Sequence, residues 1–170
     1  MDQFSYRLIV NFVVPWGNLL SYYYRPDATD GGPFSDSKQN LPSEKLWKSF
    51  MSGDDVYKNK ILKFIPRLIE GPWALRKLIG NQPAMIGQKI PTKYYGSIED
   101  GYLEVCMDVT KGGKMANSIC SAVASKATAV SIDLAFLLQG VSSEELPEQL
   151  LSVIRLHHVS LKKKVTRIEI

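Results

Sequence analysis

The sequence predicts an α+β fold in which a curved, mainly antiparallel sheet packs against one long helix, at about residues 114–129, and several shorter helices. Three observations carry that expectation. The 170 residues are 45% hydrophobic and 22% charged, the length and apolar share of a single domain that buries roughly two-thirds of its unfolded surface. Stretches with an apolar residue at every second position are interleaved with stretches of helical spacing. Nine prolines and twelve glycines are near average usage, so a polar surface loop is expected only at residues 25–43.

Tyr6, Leu8, Val10, Phe12 and Val14 alternate with Arg7 and Asn11, the pattern of a half-buried strand. Pro15-Trp16-Gly17-Asn18 supplies turn chemistry, and Leu19 to Tyr24 completes a hairpin in which at least one of Tyr22, Tyr23 and Tyr24 faces outward. Ser43 is an N-cap for a short helix whose Leu46, Trp47, Phe50 and Met51 share one face and which stops at Gly53. From Asp54 a second helix is expected to yield to an extended edge, because Pro66 is incompatible with a continuous helix. Trp73 to Ile79 reads as one or two helical turns stopped by Gly80-Asn81, and Ala84 to Ile90 as a strand. Lys93–Tyr95 and Tyr102–Val109 form a hairpin pattern around Gly96 and Gly101. The helix Lys114–Ala129 places Met115, Ile119 and Val123 in an i, i+4, i+8 stripe, and its small residues let it lie close to a sheet. Val130 to Leu138 is an apolar strand in which Asp133 needs either a partner or exposure. Ser142 and Glu145 have capping-box spacing, and Val153 to Leu161 is the last expected strand.

The balance of 21 Lys and Arg against 17 Asp and Glu gives a charge of +4, too mild for a dedicated nucleic-acid binder but favourable to an anionic surface. Lys162, Lys163, Lys164 and Arg167 form the densest basic cluster, and Lys58, Lys60, Lys63 and Arg67 a spaced second one; both are also readable as solvated faces. Cys106 and Cys120 stand apart without a CxxC or Cys/His grouping, as expected of buried thiols in a reducing compartment. No apolar stretch approaches the ~20 residues that span a bilayer, and Met1-Asp2-Gln3-Phe4 is not a signal n-region, so a cytoplasmic location, peripheral at membranes, is expected.

Residues capable of catalysis are scarce. Thr110-Lys111-Gly112-Gly113-Lys114 precedes a helix, but it lacks the spacing of a phosphate-binding loop and reads as a Gly-rich helix entry. His157 and His158 are the only histidines; on a strand they would point to opposite faces and could not share a metal. There is no GxSxG, and those two histidines are the only imidazole bases open to a nucleophile. Glu104 and Asp108, four apart on one strand face, would stand about 13 Å apart, too far for the usual acid/base pair. No enzyme activity, metal or cofactor is expected.

Several short segments carry a family resemblance. Ile9-Val10-Asn11-Phe12-Val13-Val14-Pro15, the run DDVYKNKILKFIP from Asp54 to Pro66, Gly71-Pro72-Trp73, Tyr102-Leu103-Glu104-Val105 and Glu145-Leu146-Pro147-Glu148 occur in this order. Together they resemble the C-terminal domain of the plant ENHANCED DISEASE RESISTANCE 2 family over roughly residues 4 to 162. That domain has no established biochemical activity. In the family it follows a pleckstrin-homology domain and a START lipid-transfer domain, and its members are linked to restraint of plant defence and cell death. The resemblance therefore implies a partnership with such upstream domains in a longer parent, though none of their ligand-binding residues can be placed on this chain. Val13 and Cys106 stand where the family tends to carry polar or acidic residues, and Pro26 to Leu41 looks like an insertion. The family's domain usually carries more sequence upstream, so the chain is expected to be a fragment or a short member.

Two function classes follow. One is a non-catalytic lipid- or membrane-associated regulatory domain, with Trp73, Tyr102, Met115, Ile119 and Val123 around an apolar pocket and Lys162, Lys163, Lys164 and Arg167 against anionic headgroups. A START-like grip of the long helix by the sheet is the arrangement compatible with this element order. The other is a protein-interaction or scaffold module with a filled core and no ligand.

Overall fold

A computed structural model of the chain describes residues 6–25, 42–80, 83–97 and 99–161. The elements run β1 (Tyr6–Val14), β2 (Gly17–Arg25), α1 (Pro42–Ser52), α2 (Asp55–Ile61), β3 (Leu62–Glu70), α3 (Trp73–Ile79), β4 (Ala84–Met85), α4 (Ile86–Lys89), β5 (Thr92–Tyr95), β6 (Tyr102–Asp108), α5 (Gly113–Ser125), β7 (Ser131–Leu138) and β8 (Leu150–His157). The α+β class is as the sequence predicts, but the strands form two four-stranded sheets, ordered β2-β1-β6-β5 and β4-β3-β7-β8. Among the described residues every pairing is antiparallel except β1 with β6, which run parallel from Arg7 opposite Tyr102 to Val13 opposite Asp108.

The period-two patterns decide which faces turn inward. Leu8, Val10 and Phe12 of β1 and Leu103, Val105 and Met107 of β6 are buried, and they join Ile132, Leu134 and Phe136 of β7 in one continuous core. The two sheets meet at three rings. Phe12 lies 5.6 Å from Phe64 and 5.7 Å from Phe136, which are themselves 5.3 Å apart. Such tilted aromatic contacts add about 0.5–1.5 kcal/mol per pair beyond area burial.

The helices follow most of their local signals, but α1 begins at Pro42, so Ser43 lies within its first turn instead of capping it. In α1 the expected face of Leu46, Trp47, Phe50 and Met51 is buried, and Phe50 meets Tyr94 of β5 edge-on at 6.2 Å. Asp54 caps α2 by accepting the Tyr57 N–H at 2.7 Å, and β3 begins with no intervening loop. Pro66 is tolerated there because β4 pairs with β3 only at Lys63 and Phe64, leaving the flank at Pro66 open.

Other boundaries also differ from expectation, among them the end of β6 at Asp108 instead of Val109. The strand expected over Ala84 to Ile90 ends at Met85: Ile86 turns into the core, and Gly87 passes so close to Asn59 that a side chain there would collide with its amide. The long helix ends at Ser125, and residues Ala127–Ala129 continue as a 3-10 turn. The last strand begins at Leu150 and stops at His157. The loop expected at residues 25–43 falls mostly outside the described residues, its ends being taken up by β2 and α1.

Candidate functional site

An apolar cavity of about 610 Å³ is lined by residues of both sheets and of α3, α4 and α5. That is the size range of small-molecule pockets. β1 and β2 supply Phe12, Val14 and Leu19, β3 supplies Phe64 and Pro66, and β7 and β8 supply Ile132, Leu134 and Leu156. Leu78 and Ile79 close it from α3, and Met115, Ile119 and Val123 from α5. No residue of α5 is fully buried, although Ala116, Cys120 and Val123 pack against the core from this helix.

Polar groups at the cavity are few. Cys120 faces it as a free, half-buried thiol whose pKa burial pushes up, so it remains neutral and behaves as a small apolar group. Lys89, at the end of α4, is exposed at the rim and brings a cation to the edge of an otherwise apolar surface. The arrangement suits a mainly hydrocarbon ligand with its polar end near solvent.

Of the residues expected to line a pocket, Met115, Ile119 and Val123 do so; Met115, 70% exposed, stands at the mouth. Trp73 and Tyr102 do not line it. Trp73 is 74% exposed at the start of α3, with Lys77 Nζ 5.6 Å from its ring, because Leu78 and Ile79 lie on the helix face that meets the cavity. Tyr102 occupies an outward position of β6 and lies against Gly96. Lys162, Lys163, Lys164 and Arg167 fall outside the described residues. The cavity also uses Trp16, which reads in sequence as turn chemistry, and strand residues whose alternation looks the same whether the facing space is filled or open.

The other sequence candidates are scattered. Lys58 is buried, donates to Gly53 O at 2.6 Å and lies 5.4 Å from the centre of the Tyr94 ring, while Lys63 pairs with Glu148 at 3.1 Å. The second basic cluster is thus partly consumed by internal contacts. Glu104 accepts from Asn11 Nδ2 at 3.1 Å, whereas Asp108 is held by Lys111 and Thr110, which keep its carboxyl below the usual range; the two acids serve different partners. The same contacts tie down Thr110 and Lys111 of the Gly-rich helix entry. Asp133, on the strand, binds Arg155 through two hydrogen bonds of 2.6 and 2.8 Å. Cys106 is half-buried, with burial and then Glu104 and Asp108 raising its pKa.

The histidine pair departs from expectation. His158 lies just beyond β8 and has φ +48°, so strand alternation no longer applies to it. The two imidazoles stack, with centroids 3.9 Å apart.

Among the described residues no helix is long and apolar enough to cross a membrane. No solved structure matches the chain. It is 32% identical over 129 residues to "Protein ENHANCED DISEASE RESISTANCE 2-like" of Arabidopsis thaliana, covering 76% of this chain and 17% of that relative's length. Residues 2–160, which include all eight strands of the described residues, match the family described as "Protein ENHANCED DISEASE RESISTANCE 2, C-terminal". With so much of its length matched, the chain belongs to the ENHANCED DISEASE RESISTANCE 2 C-terminal family.

Proposed function

We propose that this domain is a non-catalytic, lipid-associated regulatory module that takes an acyl chain or similarly apolar group into the cavity between its sheets. The observation that carries the reading is the 610 Å³ space with an almost wholly apolar lining and one cation, Lys89, at its rim. A filled interior beside Met115, Ile119 and Val123 would have favoured the scaffold reading instead. The relative's name supplies the context of disease resistance, and in a longer parent the module would act beside membrane-directed domains at the cytoplasmic face of a membrane.

Native mass spectrometry with lipid extraction, on gently purified chain, tests this. A stoichiometric co-purifying lipid is the expected outcome. A clean apo mass, together with no uptake of a fluorescent fatty acid, would reject the pocket in favour of an interaction module. The basic tail is a separate element of the proposal. Replacing Lys162, Lys163 and Lys164 with alanine is expected to weaken binding to anionic vesicles and flatten its salt dependence, at about 1 kcal/mol per cation near the surface. Unchanged vesicle flotation would remove the tail from the mechanism.

A further inference from the structure

Three strand ends of the second sheet converge at one rim: Glu70 closes β3, Ser131 opens β7 and His157 closes β8. The positive φ of His158 is uncommon for a residue other than glycine and costs of order 1 kcal/mol, so the surrounding contacts must hold it. Those contacts are specific. His158 Nε2 lies 3.0 Å from Glu70 Oε2, and its backbone N–H donates to Val130 O at 2.9 Å. Ser131, only 1% exposed, donates through Oγ to the same Glu70 Oε2 at 3.0 Å and lies 2.6 Å from His157 Nδ1. A buried hydroxyl therefore orients both the carboxylate and one imidazole, while Glu70, His157 and His158 themselves face solvent.

We propose that Glu70, His157 and His158 form a binding site for a divalent transition metal of the zinc type. One ligand atom from each lies within 4.8 Å of the other two. Ligand atoms sharing one zinc ion at bond lengths of 2.0–2.2 Å stand roughly 3–3.6 Å apart; Glu70 and His158 already have that separation, and His157 joins them by rotating out of its stack with His158, pivoting about the Nδ1 that Ser131 holds. Two imidazoles and one carboxylate select zinc and its transition-metal neighbours over calcium or magnesium, which prefer oxygen ligands. On binding, the metal takes the place of the proton between His158 Nε2 and Glu70; a neutral ring keeps its single proton by moving it through solvent to Nδ1, whereas an imidazolium releases the Nε2 proton to solvent and keeps the one on Nδ1. Water fills the remaining coordination position. Ser131 is a positioning residue of the kind that holds metal-bound imidazoles in orientation.

The test uses tag-free, chelator-treated chain, titrated with Zn2+ by calorimetry and with Co2+ by visible absorption. The expected result is one metal per chain, with a tetrahedral-type cobalt band, and at least tenfold weaker binding in each of Glu70→Gln, His157→Ala and His158→Gly. Glycine suits the left-handed backbone, so the His158→Gly chain keeps its fold while losing the ligand. The double variant Cys106→Ser, Cys120→Ser should bind as the parent does. Failure of the parent to bind at millimolar metal would overturn the site. So would undiminished binding in His158→Gly, or loss of binding in the cysteine variant alone.

Discussion

Replacing Val123 with tryptophan distinguishes a real cavity from a well-packed interior. Val123 lies half-buried on α5 and borders the open space, so an indole at that position has room to enter. It would bury about 100 Å² more apolar surface than valine. At about 25 cal/mol per Å² this contributes about 2.5 kcal/mol. Valine and tryptophan have similar helix propensities, so the helix term nearly cancels, and ordering the longer side chain removes about 1 kcal/mol. A net gain of about 1–2 kcal/mol corresponds to a rise in Tm of roughly 3–6 °C for a chain of this size. Into a filled core the same substitution would cost about 1–3 kcal/mol and lower Tm instead. The assay is calorimetry on delipidated parent and variant, followed by fluorescent fatty-acid uptake by both. Higher Tm with loss of uptake is the expected combination. A Tm lowered by several degrees, or uptake equal to the parent's, would refute the cavity argument.

Other outcomes follow from particular contacts. Met107→Ala, at a wholly buried position on β6, should cost about 2–5 kcal/mol, seen as a lower urea midpoint. Gly87→Ala should push Asn59 away from Gly87, breaking the 3.0 Å bond that Tyr94 donates to Asn59 and destabilising the chain by about 1–3 kcal/mol in the same assay. The Asp133 carboxyl is held below its ordinary pKa chiefly by the hydrogen bond from Arg155, so its contribution is complete above the unfolded value near about 3.9 and fades as pH falls through the lower folded value. In Asp133→Asn, that acid-side decline should be shallower than in the parent when urea midpoints are compared between about pH 6 and about pH 2.

The elements legible in the sequence were those with local causes. β1 follows from five alternating apolar residues, α3 is framed by Pro72 and Gly80, and α2 is expected from Asp54, the residue that caps it in the structure. The stripe of Met115, Ile119 and Val123 also identified the cavity side of α5, because helical spacing specifies a face. Relations between distant segments were not legible. Nothing near β1 encodes its parallel partnership with β6, and nothing in Phe12, Phe64 or Leu134 tells an open space from a packed one. Trp73 was misread because an aromatic side chain signals burial in general, whereas its position at the start of α3 turns it outward. The histidine pair was misread for a different reason: alternation presumes an extended backbone, and His158 leaves it.

The parallel pairing of β1 with β6 has a consequence for how the chain folds. The first hairpin can close on itself early, but its free side waits for residues 102–108, and β3 likewise waits for β7 at residues 131–138. Both sheets are therefore completed late, by strands from the second half of the chain. Such non-local closure slows folding and leaves apolar strand edges uncovered in the meantime. A cut anywhere between α3 and β6 would leave neither piece with a whole sheet, so the two halves of this sequence are not separable modules and would have to be inherited, expressed and exchanged together.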